Sequence, residues 1–484
     1  MSKAGIFGAL AVVVVAGAYV GVAAYSGGAV QKEYDAAFDK MGQALPFVKI
    51  VDRKFDKGLF SSTASYGLRI GCDPQESAAD GAPQSVTITF RDSIAHGPLP
   101  GFAGVGLARV DTQIELPPEA PEGLRQWIGG MKPDAIRTTI AFDGASATSV
   151  NLPAGEIKED EVRVHWQPLR MAARMNGAHS SLSYDYEMPE FAFDVAKGDE
   201  TVGFKLVNLR AQGTREMNDM LMGDGTGSGT LDNLQFTASK GLLVDLSQIK
   251  LGGSTKTEND LVGAAGSLTG VLNIKAGDKE FKFDKIELQE SIKRIHAPTL
   301  QKIVLGFWAE MGNICRKTPD ELAQSLQGKQ AEMLLGMKDL LAHDPEYSVD
   351  KIALTWEGQE GTVSYSLAAH GITPEELQQP DPRNLMSKAT IKASAKLPIA
   401  WLQKIAAEAK GGSPQEAQAQ IDSILTPLVQ AGYVVREGDY VSSNSEMKNG
   451  QTTINGKPFD PRVLMGAPQS HVQPGQGGEE ENED

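Results

Sequence analysis

The side chains able to do chemistry are few and scattered. The seven histidines are His96, His165, His179, His296, His343, His370 and His471. No two stand at the i, i+4 spacing that brings two imidazoles to one helix face for zinc, and no HExxH occurs. Each histidine reads as a surface or turn residue. The two cysteines, Cys72 and Cys315, cannot by themselves supply a four-ligand zinc site. They can close a disulfide in an oxidising compartment or stand as unrelated thiols. Gly223-Asp224-Gly225-Thr226-Gly227-Ser228-Gly229 is glycine-rich in the manner of a phosphate loop. It lacks the Lys-Ser/Thr ending and a clear preceding strand, and it does not give GxSxG. A flexible hairpin connection is the expectation there. Carboxylates abound, and no pair of them is distinguished. The chain is therefore expected not to be an enzyme, with no catalytic residue, no cofactor and no metal site.

Charge narrows the partners. The 484 residues carry a formal net charge of -16 and an isoelectric point near 5.0. Such a field repels phosphate backbones and disfavours nucleic acid. It also repels anionic lipid headgroups except at local basic patches.

One stretch fixes the expected location. Residues 4–25 read AGIFGALAVVVVAGAYVGVAAY, with no charge among them. At about 1.5 Å per residue a helix of this length crosses a bilayer core of about 30 Å. A cleaved signal peptide is the competing reading, supported by Lys3 and Ala16-Gly17-Ala18. Apolar residues continue past that site to Tyr25, which favours a retained anchor. Basic residues on the two sides do not decide orientation. A very short amino tail before a long acidic body suggests an exported body, which in a bacterium means the periplasm and a single-pass inner-membrane protein. Gly17 and Gly21 make a GxxxG face on which two such helices can approach closely.

The body reads as α+β, dominated by β. After a short helix over 30–45, period-two alternation recurs from Val86-Thr87-Ile88-Thr89-Phe90 through Phe281 and Phe283, with turn signals between the runs. Asp143-Gly144 joins two such runs as a hairpin. The pattern predicts a large antiparallel sheet, curved and open, in place of βαβ units. Helices are expected near 299–342 and 398–431. Thr318-Pro319-Asp320-Glu321 and Ser413-Pro414-Gln415-Glu416 are the capping signals, and Pro427 is expected to kink or shorten the last helix. The resulting division is an anchor at 1–28, a β-rich region at 29–297 and a helical segment at 298–345. A β-α-β region at 346–468 and a disordered acidic tail at 469–484 complete it.

Several short stretches, in order, resemble the YdgA-like family of bacterial envelope proteins, built around a domain of unknown function. They are Gly58-Leu59-Phe60-Ser61-Ser62, His96-Gly97-Pro98-Leu99-Pro100, and His343-Asp344-Pro345 leading into Ile352-Ala353-Leu354-Thr355-Trp356. Leu397-Pro398 before a helix and Gly450-Gln451-Thr452-Thr453-Ile454-Asn455-Gly456-Lys457-Pro458 follow. The resemblance implies an inner-membrane anchor, a periplasmic body and a homodimer, and it implies no catalytic residue. The general pattern of an anchor before a long hairpin array is similar to AsmA-like envelope proteins. Two expectations follow. One is a membrane-anchored envelope protein that handles a lipid or other amphiphile in a β-sheet groove. The alternative is a homo-oligomeric scaffold whose apolar sheet face is covered by its own helices.

Overall fold

The computed structural model describes residues 48–459, apart from 59–60, 71–84, 98, 103, 199, 217–222, 313–335, 337, 379–380 and 411–412. The expected anchor, the helix over 30–45, both cysteines, most of the helix after Thr318, His471 and the acidic tail lie outside the described residues. Among the described residues no helix is long and apolar enough to cross a membrane.

Six antiparallel strands open the body, each paired with the next: β1 (Val48–Lys57), β2 (Ser61–Ile70), β3 (Val86–His96), β4 (Ala108–Glu115), β5 (Ile136–Ile140) and β6 (Ser146–Leu152). Helix α1 (Glu122–Gly129) joins β4 to β5. A short hairpin, β7 (Gly155–Glu159) and β8 (Val162–Trp166), leads to β9 (Leu169–Met175), which pairs back onto β6. Six long strands follow as a meander: β10 (Ser181–Lys197), β11 (Glu200–Glu216), β12 (Gly225–Ala238), β13 (Leu242–Glu258), β14 (Leu261–Ala276) and β15 (Lys279–His296). β10 carries β9 and β8 end to end along its other edge.

Helix α2 (Ala297–Gly312) interrupts the meander, and a helical turn at 338–341 precedes its resumption. β16 (Glu346–Trp356) pairs with β15, so the sheet continues through β17 (Gln359–Ala369) and β18 (Ala389–Pro398). Short helices α3 (Pro374–Gln378) and α4 (Pro382–Lys388) bridge those two strands. Beyond β18 come α5 (Ile399–Lys410), α6 (Pro414–Ala431), β19 (Val435–Glu437) and β20 (Tyr440–Lys448). β20 lies on β18, with β19 and β21 (Gln451–Ile454) sharing its far edge and β22 (Lys457–Pro458) closing on β21. Asn449-Gly450 and Asn455-Gly456 take positive φ in the expected tight turns.

The expected large open antiparallel sheet is therefore present, and the helices near 299 and 398–431 stand where they are described. Three details differ. Helix α1 lies in a stretch read as all β. Its Leu124 and Ile128, four apart, are both buried, and they cover the core formed by Tyr66, Leu68, Ile88, Phe90, Val110 and Ile140. Helices α3 and α4 are too short to carry a readable stripe. Pro427 stays inside α6, which runs on to Ala431. Thr426 Oγ1 donates to the Asp422 carbonyl at 2.6 Å, adding a side-chain bond in the turn where proline donates none. The Ser413–Glu416 capping box forms as expected, and Gly432 ends the helix at φ 75°.

Alternation puts one set of side chains on each face, and register joins them across strands. Phe191, Leu206, Leu234, Leu246, Leu272, Phe283 and Trp356 make one such row from β10 to β16. Mid-strand irregularities shift the alternation without losing the face. In β13 the apolar set changes from Leu242, Val244 and Leu246 to Ile249 and Leu251. Gln248, at φ 53°, lies between, within the register shift that separates Ser247 from Lys250.

Candidate binding site on the apolar face

Three parts of this face are finished differently. Over β1–β6 it is sealed into a core with α1. At Leu397 of β18 and Val441 of β20 it is covered by α5 and α6, through Ile399, Ile421 and Leu425, while Ile391 farther along β18 stays exposed. Between them, over β10–β15, most of its side chains are only half-buried. Tyr184, Val202, Phe236 and Leu251 all lie on it, with 39, 41, 38 and 41 % of their surface exposed. The opposite face of the same strands is polar and internally paired. Asn233 donates to Asp245, and Lys285 and Lys351 clamp Glu287 at 2.8 and 3.0 Å, holding its carboxyl down to about 2. The long strands thus form an amphipathic sheet whose apolar side remains largely accessible.

The floor of that side dips at one row. Gly213, Gly227, Gly253 and Gly266 stand directly opposite one another across β11–β14. Tyr184 on β10 leans over this row. A Cβ on Gly213 would lie 2.6 Å from its hydroxyl, and one on Gly227 would lie 3.4 Å from it. A cavity of about 720 Å³ opens above the dip. Its walls include Tyr184, Val262, Ile292 and Ile295 from the sheet, with Leu300 of α2 and Leu340 of the turn before β16. Gly336 and Ile303 pack together, so that the two helical pieces stand side by side. The volume is that of a small-molecule pocket, and its lining is predominantly apolar.

The same device recurs where the protein covers itself. Gly361 of β17 seats the indole of Trp401 from α5, and a Cβ there would come within 2.4 Å of the ring. Trp401 donates from Nε1 to the Trp356 carbonyl at 3.3 Å, and both indoles are buried. At Gly361 the missing side chain is thus the seat of a bulky ring. Over β11–β14 the described chain lays the edge of Tyr184 against Gly213 and Gly227 and the Glu290 side chain against Gly266.

The glycine-rich stretch expected to be a flexible connection is corrected here. From Gly225 it is strand β12, paired on both sides. Its glycines face the dip, while Thr226, Ser228 and Thr230 face water, so the alternation of glycine with hydroxyl residues is a strand period.

Two histidines meet although 47 residues separate them in sequence. His296, at the end of β15, and His343, just before β16, stack with ring centroids 4.0 Å apart and planes within 13°. They stand at the two ends of the helical insertion that walls the cavity. Burial pushes the His343 pKa down, reinforced by His296 and Arg294 and opposed by Asp339 and Asp344. Arg294 donates to the carbonyls of His343 and Asp344 at 3.0 and 3.2 Å. His96 bonds with Ser62, His165 with Glu190, and His179 with the Gly144 carbonyl. Among the described residues no cluster of His, Cys, Asp and Glu is arranged to hold a metal ion.

Fold and site together define a β-dominated protein built on one large open antiparallel sheet with an accessible apolar side. The chain belongs to a family described as a bacterial protein of unknown function, DUF945, which it matches over residues 1–462. No curated protein and no solved structure matches it.

Proposed function

We propose that this is an envelope protein whose open sheet face accommodates the apolar chain of a lipid or similar amphiphile. The observation that carries the proposal is the accessible apolar surface of β10–β15 above the four-glycine row. Six strands of this length offer a trough roughly 25 Å across and about 55 Å long. A contiguous apolar surface of that extent is costly to leave in water and marks a binding surface. A long hydrocarbon chain suits it, because the dip asks for bulk and the floor supplies few hydrogen-bonding groups. The finer reading places the protein among YdgA-like envelope proteins, anchored in the inner membrane through residues 4–25, with its body in the periplasm and a homodimeric assembly. The apolar segment, the acidic body and the Gly17/Gly21 spacing support that reading.

The test is lipid extraction from the detergent-purified full chain followed by mass spectrometry, alongside Gly253→Leu. A Cβ at Gly253 meets only the Ala265 carbonyl oxygen, at an ordinary 3.6 Å, so a leucine can project over the floor without displacing the strand. The expected outcome is a stoichiometric single-chain or two-chain lipid on the wild type and its loss from the variant. Equal amounts of co-purified lipid on both proteins would contradict the proposal.

A further inference from the structure

We propose that the cavity takes a long-chain fatty acid anion, its carboxylate held by Arg215; this rests on the apolar-face reading above and names the ligand class. Arg215 sits at the end of β11 on the apolar side, in register with Leu182 of β10 and Gly225 of β12, and it lines the cavity. It is half-buried, and among the described residues it forms no ion pair. Polar residues described nearby have partners of their own. Asp224 accepts from the Thr257 backbone N–H at 2.6 Å, Glu258 pairs with Lys256, and the Thr255 hydroxyl donates to the Gly223 carbonyl at 2.9 Å. Gly225, opposite Arg215 on β12, sets no side chain of its own beside it.

Charge complementarity identifies the head. In a chain of net charge -16, an arginine with no carboxylate partner among the described residues, beside an apolar cavity, is a site for an anion brought from outside. Its planar fork matches a carboxylate through two parallel hydrogen bonds. Among the described residues no second cation lines the cavity, so a bulkier phosphodiester head finds no further partner among them. The walls of Ile292, Ile295, Leu300 and Leu340 then follow the hydrocarbon chain away from Arg215.

The experiment measures binding of a fatty acid, the alcohol of equal chain length and a lysophospholipid to the purified full chain, at a mildly alkaline pH that keeps the carboxyl ionised. The acid should bind about tenfold more tightly than the alcohol, the worth of one charge-assisted pair. Arg215→Gln should abolish that preference, so that acid and alcohol bind equally, and Arg215→Lys should restore part of it. Equal binding of acid and alcohol to the wild type, or a preference that survives Arg215→Gln, would overturn the role of Arg215 while leaving the apolar-face reading intact. Tighter binding of the lysophospholipid would overturn the choice of a carboxylate head. Binding of none of the three would overturn both readings together.

Discussion

His343 carries a pH dependence whose sign follows from its surroundings. Its folded-state pKa lies below the ordinary histidine value because burial, His296 and Arg294 all disfavour a second positive charge there. The unfolded chain keeps the ordinary value of about 6.5. As pH falls through that value the unfolded state binds a proton that the folded state resists, so stability declines. Above it both states are neutral and the contribution is constant. Chemical denaturation of the wild type should therefore show a falling midpoint from about pH 7 to about pH 5, and His343→Gln should show a shallower fall. Identical slopes would mean that the stacked pair does not resist protonation. Glu287 acts with the opposite charge but the same direction. Its clamp stabilises the sheet above the ordinary carboxylate pKa of 4.5, and this is lost as pH falls toward about 2.

At the scale of strands and helices, two glycines on the same face predict opposite outcomes. Gly361→Ala places a methyl group against the buried Trp401 ring, and overpacking of this kind costs about 1–3 kcal/mol. Gly253→Leu puts its Cβ at an ordinary 3.6 Å from the Ala265 carbonyl oxygen and should fall within about 0.5 kcal/mol of the wild type. Thermal or denaturant unfolding of both variants checks the contrast; comparable losses would show that the dip over β11–β14 is as tightly filled as the Trp401 seat. The strands themselves were legible from the chain, since Val86, Ile88 and Phe90 or Leu242, Val244 and Leu246 announce their period directly. The Ser413–Glu416 box announced α6 in the same way. The dip was not legible. Gly213, Gly227, Gly253 and Gly266 come from four strands and align only through register, which bulges at positions such as Gln248 shift by one residue. The His296–His343 stack was hidden for the same reason, because its partners flank an insertion whose ends the sheet brings together. The GTGSG run was misread because glycine weakens the strand signal that its alternation with threonine and serine otherwise carries.

For the whole molecule, one face passes from a sealed core at β1–β6, through an accessible stretch at β10–β15, to a helix-covered end at β18 and β20. The ends bury their apolar side chains, while the middle keeps most of its own half-exposed. The proposal of an exported body predicts that alkaline phosphatase fused after Asp484 is active, because that enzyme folds only after export. An inactive fusion together with an active cytoplasmic reporter at the same position would contradict it. The most direct test of the central claim is photo-crosslinking of the full chain with a fatty acid carrying a diazirine near the end of its chain, with the sites mapped by mass spectrometry. Labels are expected on the apolar side of β12–β15, at residues such as Leu251, Leu268 and Ile292, competed away by unlabelled fatty acid and lost in Gly253→Leu. Labels confined to the polar side, or labels that neither competitor nor variant diminishes, would contradict it.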